Sequence, residues 1–394
     1  MDPDVNPMIV AKDQFFSLAM MSARQHELSK STQTNARYSF FQARYAIYHG
    51  LKLLGIEPGD HVLVPSYICR AAVDPILASS VDVGFYAVSD QCSADLVDLE
   101  RSISPKTKAL IIVHYFGFPQ PLREIRRLCD IHGIALIEDC AHVLCGETDG
   151  EPMGTIGDAA VFSWRKFFPV YDGSELVMNR PRQFRRIPRT KESALFTLKA
   201  AANALDASLE QARTPLFKLA YNGLRAGEAL FRRCANSHLQ KTPMMQASSN
   251  DLSFDPASAN WPMTRLSRWT KDHSNVGRII ATRRRNYEIL LEELSATDRV
   301  IPMFRDLPPT LCPWVFPVVF PVSAAHLALR RRGIPAVTWG GVRHPQIPRD
   351  RYAESDFLYE NLVFLPVHQC LNEDDIMNMV RRVKEVSGKR KWIS

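Results

Sequence analysis

The sequence predicts an α/β architecture, a mostly parallel sheet building a large domain and a smaller α+β unit following it. Three observations lead there. Short apolar runs alternate with segments of helical period from about residue 38 onward. Helices of this length between strands imply right-handed crossovers and a sheet covered on both faces. A chain of 394 residues exceeds one small core, so two packed units are expected. Hydrophobic residues at 46% and charged residues at 23% are the proportions of a folded soluble protein, not of a disordered chain.

Taken in order, "FFQARYAIYHGLKLLGI" reads as an amphipathic helix closed by Gly55 and the "EPGD" turn, and "HVLVPSY" as a strand. "CRAAVDPILASS" is the next helix and "VDVGFYAV" the next strand. "TKALIIVHYFG" is a strand, "PLREIRRLCDIHG" a helix and "IALIEDCAH" a strand again. "AAVFSW" and "SELVMN" complete the series as two strands joined by a lysine-bearing loop. Ligands of such a sheet lie at the carboxyl ends of its strands, where "PSY", "HYFG", "EDCAH" and "SWRK" all fall.

Beyond it, "ESALFTLKAAANALDASLEQA" looks helical and "QASSNDLSFDPASANWP" looks like loop. One longer helix is expected from Arg265, bridging to "PWVFPVVFP" as a strand and to the helices "AAHLALRRRG" and "EDDIMNMVRRVKEV". The expected organisation is an N-terminal segment (1–37), a large domain (38–262) with a helical insertion near 191–262, and a bridging helix with a small C-terminal α+β domain (263–394). No internal repeat or low-complexity tract interrupts it.

The formal charge of +7 raises the question of polyanionic partners, but arginines are scattered among carboxylates through most of the chain. The runs Arg180 to Lys191, "RPRQFRRIPRTK", and "GKRKW" near the end are the exceptions; a solvated face explains both, and a diphosphate site is the alternative for the first. No helix-turn-helix is appended, so no nucleic-acid partner is expected. The eight cysteines, at 69, 92, 129, 140, 145, 234, 312 and 370, contain no Cys-x-x-Cys pair and no paired spacing with histidine, which argues against a metal site. The opening "MDPDVNPMIV" lacks a signal-peptide pattern, and no apolar stretch reaches the roughly 20 residues of a membrane span. A cytoplasmic protein with reduced thiols is expected.

Two residues carry the chemistry. Asp139 ends the apolar strand "GIALIED", where a carboxylate is costly to bury unless something positive meets it; the alternative is an Asp whose side chain caps the next helix. Lys166 lies beyond another strand end, so both groups come to one edge of the sheet. With the helix start near Arg44, they match the needs of an aldehyde cofactor: an amine for the aldehyde, a carboxylate for a protonated ring nitrogen and a helix N-terminus for a phosphate.

The segments "LKLLGIEPGDHVLVPSY", "TKALIIVHYFG", "GIALIEDCAH", "GTIGDAAVFSWRK", "DGSELVMN" and "LVFLPVHQCLNEDDI", in this order, resemble the DegT/DnrJ/EryC1/StrS (sugar) aminotransferase family, from roughly Phe40 to Val386. The resemblance implies the aspartate-aminotransferase-like fold of pyridoxal 5'-phosphate (PLP) enzymes. It makes Lys166 the Schiff-base lysine, Asp139 the pyridinium partner, His142 the neighbour of the phenolic oxygen and Ser163 a phosphate ligand. Arg44 and Tyr45 fall at the phosphate cup. The ring-stacking aromatic of the family aligns with Cys69, leaving Tyr67 as a substitute. Trp339, Arg343 and His344 of "TWGGVRHP" either reach the substrate or form a packed Trp and a surface turn. "SWRK" is two residues shorter than the family's serine-to-lysine spacing, "DGS" replaces a double glycine, and "SANWPMTRLS" stands where the sugar-nucleotide loop is usual. The implied function is transamination from an amino-acid donor, glutamate, to an oxo group of a sugar or sugar-like acceptor, by a homodimer whose pockets are completed across the interface. The alternatives are elimination or decarboxylation on the same cofactor, and a non-catalytic regulator or scaffold that inherited the fold.

Overall fold

The computed structural model describes residues 14, 20–21, 36–180, 187–188, 190–192, 196–197, 200–201 and 254–387. The arginine-rich run after Arg180, most of the helical insertion, the "GKRKW" cluster, Cys234 and most of the N-terminal segment lie outside these residues.

The large domain is built on β1 (Ala36–Phe40), α1 (Ala43–Leu53), β2 (His61–Pro65), α2 (Arg70–Leu77), β3 (Asp82–Tyr86), α3 (Leu96–Ser102), β4 (Thr107–Val113), α4 (Leu122–His132) and β5 (Ala135–Cys140). A short hairpin, β6 (Glu147–Thr148) and β7 (Glu151–Pro152), precedes β8 (Ala159–Ser163) and β9 (Ser174–Met178). Seven of these strands form one sheet in the order β1-β9-β8-β5-β4-β2-β3. β9 pairs antiparallel with both β8 and β1, so β1 runs with the parallel strands and its carboxyl end, like that of β8, lies at the edge where α1 starts. β5 is buried along its whole length and β4 at all but one position, as covered parallel strands are.

Several elements are additions to the sequence reading, among them the β6–β7 hairpin, β1 and α3. β1 is an edge strand of mixed burial with no apolar run, and α3 is a short helix capped by Asp95, whose side chain accepts from Val97 N and Asp98 N. One expectation is corrected. The single helix from Arg265 is two helices, α5 (Arg265–Asp272) and α6 (Val276–Ser295), because Asn275 leaves the helical path to cap α6 by accepting from Arg278 N. The backbone N–H of Asn275 bonds to Met20 O (2.7 Å), so the break is also where the chain near Met20 docks.

The C-terminal unit holds β10 (Ile301–Pro302), β11 (Val315–Val319), α7 (Ala325–Arg330), α8 (Ala353–Asn361), β12 (Leu362–Pro366) and α9 (Glu373–Val386). Its strands form an antiparallel sheet in the order β10-β11-β12. Asn372 opens α9 with a reciprocal capping box to Asp375. One continuous core runs through both units, from Val64 and Ile111 in the strands of the large sheet to Phe316, Phe364 and Met379. No described helix is long and apolar enough to cross a membrane.

Candidate active site

Strand register brings the predicted residues to one edge. Asp139 pairs with Val113 and Val161, Cys140 with Phe162, and Ser163 with Ser174, which in turn pairs with Phe40 at the end of β1. The chain leaves β8 through a single 3-10 turn, Trp164–Lys166, which absorbs the shortened serine-to-lysine spacing. The return loop is tied down by Asp172, which accepts from Thr264 N (2.6 Å), Thr264 Oγ1 (2.8 Å) and Ser267 Oγ at the start of α5.

Lys166 is half-buried, and its Nζ lies 4.4 Å from the centroid of the Trp314 ring. Burial pulls its pKa down to about 8, against the opposing fields of Asp139 and Cys69. Asp139 is buried, and burial raises its carboxyl pKa while Lys166 and the Ala141 N–H hold it back. Its Oδ1 accepts from Ala141 N at 2.9 Å, closing a local turn. Among the described residues Oδ2 receives no donor, so one carboxylate oxygen is open at the sheet edge, within the field of the amine.

His142 is buried, and its Nδ1 accepts from Phe116 N at 3.1 Å. That bond assigns the ring proton to Nε2, and burial together with Lys166 lowers its pKa well below the usual value, so the ring is a neutral Nε2–H donor. Phe116 reaches it from a left-handed backbone conformation (φ 60°), and Gly117 follows at φ 97°. A Cβ on Gly117 would lie 2.8 Å from Cys312 O and 3.0 Å from His142 O, so glycine lets the "HYFG" turn press against both.

Ser163 is buried, with no hydrogen-bond partner for its hydroxyl among the described residues. The N-cap of α1, Gln42, makes no side-chain cap and the first turn holds no acid; Tyr45 N turns back to Gln42 O (3.1 Å), which leaves the N–H groups of Ala43 and Arg44 to face an anion. Arg44 is buried in that turn. Tyr45 is engaged elsewhere: its ring packs 5.4 Å from Phe254.

Of the two stacking candidates, Cys69 is the one electrostatically coupled to Lys166 and Asp139. Tyr67 is fully buried among Tyr359 (4.8 Å), Trp339 (5.0 Å) and Tyr115 (5.8 Å). The aromatic beside the amine is Trp314, which the sequence reading missed; it stacks on His142 at 4.1 Å and 20°. Trp339 packs against this group 5.5 Å from His142, Arg343 pairs with Asp356, and buried His344 lies 3.3 Å from Asp74.

The order of the sheet, with its antiparallel strand next to β1 and the small α+β unit closing over its carboxyl edge, defines an aspartate-aminotransferase-like α/β fold, the fold of PLP-dependent aminotransferases. Residues 28–189 match the model of the DegT/DnrJ/EryC1/StrS aminotransferase family. The chain is 35% identical over 120 residues to GDP-perosamine synthase of Vibrio cholerae, covering 30% of this chain and 33% of that protein. It is 36% identical over 125 residues to a UDP-N-acetyl-3-dehydro-alpha-D-glucosamine 3-aminotransferase of Acidithiobacillus ferrooxidans, covering 32% and 33%. The sequence matches thus span about a third of these relatives' lengths. The fold likeness is wider: Helicobacter pylori PseC, an aminotransferase involved in the biosynthesis of pseudoaminic acid, superposes with TM-score 0.63 at 16% identity over 90% of this chain and 87% of that one.

Proposed function

We propose that the protein is a PLP-dependent aminotransferase that moves an amino group from an amino-acid donor, glutamate by family likeness, to an oxo group of a sugar or sugar-like acceptor. The observation that carries this reading is the pairing of a lysine of lowered pKa with a buried carboxylate that keeps one open oxygen at the same sheet edge. The donor set fits the cofactor. Asp139 Oδ2 would accept from a protonated ring nitrogen, His142 Nε2–H would donate to the phenolic oxygen, and Ser163 with the N-terminus of α1 would hold the phosphate. Bound there, the cofactor supplies an aldehyde that captures amines covalently and a ring that takes up the electrons of a carbanion.

The chain's own residues do the rest. With a pKa of about 8, roughly 10% of Lys166 is neutral at pH 7, against about 0.03% for an ordinary lysine, so the nucleophile is available without a separate base. The same Nζ, once free, is the base that removes the proton from the donor's α-carbon. Asp139 keeps a cationic ring nitrogen protonated, and the surrounding Phe116, Trp314 and Trp339 exclude water. Assembly as a homodimer is part of the reading, supported by the family likeness.

Borohydride reduction of PLP-supplemented protein should place a pyridoxyl group on the peptide containing Lys166, and Lys166→Ala should abolish both label and activity. Glutamate should convert the bound aldehyde's absorbance to that of the aminated form. A label on another lysine, or none, overturns the proposal.

A further inference from the structure

Arg283 is a buried cation for which the proposed chemistry has no use. It stands on the core face of α6, four residues after Ile279 and four before Tyr287, and is fully buried. Among the described residues no carboxylate pairs with it. Four of its N–H groups end on neutral acceptors: Nε on Gln369 Oε1 (3.0 Å), Nη1 on Pro313 O (3.3 Å) and Trp314 O (2.9 Å), and Nη2 on Lys166 O (3.1 Å). The guanidinium also lies 4.9 Å from the centroid of the Phe167 ring, and burial lowers its pKa to about 10. An unneutralised buried charge is costly, and here only neutral acceptors offset it.

Its acceptors belong to the two segments that meet at the amine. Lys166 closes its 3-10 turn, and the following amides, Phe167 N and Phe168 N, both bond to Trp164 O; among the described residues no backbone N–H reaches Lys166 O. Side chains serve it instead, Arg283 and Gln14 Nε2 (2.8 Å). Gln369 passes the contact on, donating from Nε2 to Phe167 O at 2.9 Å. The remaining two bonds of Arg283 hold the backbone of Pro313 and Trp314, whose indole lies against Nζ.

We propose that Arg283 is a positioning residue: its planar fork fixes the carbonyl of Lys166 and the backbone of Trp314 relative to each other, and so keeps the amine desolvated against the indole. A lysine there would keep the charge but not span these acceptors. The role rests on the reading of Lys166 as the cofactor lysine, and its test is arranged so that the two fail separately.

The first readout uses cofactor-free protein. The pH dependence of Lys166 acetylation, followed by peptide mass, should show a midpoint near 8 in the unmodified chain. In Arg283→Gln the midpoint should rise by a unit or more as the amine gains water, and Arg283→Lys should show most of that rise. The second readout is kcat divided by the fraction of Lys166 trapped by borohydride, which should fall at least tenfold in both variants while the donor KM stays within threefold. A purely structural role would lower thermal stability and the trapped fraction but leave the midpoint and the kcat per trapped site unchanged, and that result overturns the proposal. Full recovery of the midpoint in Arg283→Lys overturns it too, because charge alone would then suffice. If Arg283→Gln does not fold, Gln369→Met removes one acceptor of the fork and the donor to Phe167, and should shift both readouts in the same direction by a smaller amount; no shift there counts against the proposal. Absence of any borohydride label in the unmodified protein would reject the cofactor reading alone, since the acetylation midpoint needs no cofactor.

Discussion

Glu138 and Asp139 are neighbours on β5 and face opposite sides of the sheet, yet their surroundings divide them into different kinds of carboxylate. Glu138 is fully buried and saturated: Oε1 accepts from Ile156 N (2.9 Å) and Gly157 N (2.6 Å), and Oε2 from Gly154 N (2.8 Å) and His114 Nε2 (2.9 Å). It pins the 154–157 turn beneath the sheet and has no oxygen to spare. Asp139 holds one backbone N–H and keeps its other oxygen open beside Lys166. Burial and charge are shared by the two residues, so neither distinguishes them; the count of donors does.

The largest effect that sharpens this contrast is expected in Asp139→Asn. A facing pair of charges is worth about 4 kcal/mol in a site of intermediate dielectric, so transamination should fall about 10³-fold with the fold retained, measured as kcat and by circular dichroism. A loss of less than tenfold would place Asp139 with Glu138. Next, Glu138→Gln should cost about 3 kcal/mol in denaturant unfolding, because it breaks a buried pair and leaves backbone donors unmatched, while kcat per borohydride-trapped lysine stays within twofold. A collapse of that per-site activity would break the comparison from the other side. The smallest effect is a titration. Burial disfavours the charged amine and Asp139 favours it, so Asp139→Asn should move the acetylation midpoint of Lys166 below about 8, and Glu138→Gln should leave it in place. The sign is opposite to that expected for Arg283→Gln.

The parts of this arrangement that lie next to one another in the chain were readable from the sequence. Continuous apolar runs ending in "EDCAH" and "SWRK" marked β5 and β8, and strand ends of one parallel sheet share an edge, so Asp139, His142, Ser163 and Lys166 could be placed together. β1 escaped because "ARYSF" pairs only with β9 at the edge and carries a half-buried, polar pattern. The interruption between α5 and α6 escaped because apolar spacing continues across it, although Asn275 had the chemistry of a cap. Trp314 and Arg283 escaped for a deeper reason. Their positions against Lys166 are set by how the C-terminal unit closes on the sheet, and no local periodicity encodes a contact across 117 residues. One trace of it was present: Ile279, Arg283, Tyr287, Leu290 and Leu294 share one helical face, and an arginine in that row has to be buried or to distort it.

The carbonyls that flank the lysine turn also impose an order on assembly. The strands of the large sheet and the 3-10 turn are all made by residue 178, and Gln14, one donor to Lys166 O, precedes them, but the other donor to Lys166 O and the donor to Phe167 O come from positions 283 and 369. During synthesis Lys166 therefore emerges long before Arg283 and Gln369, and their bonds to its turn form only after those positions have left the exit tunnel and folded back onto the sheet.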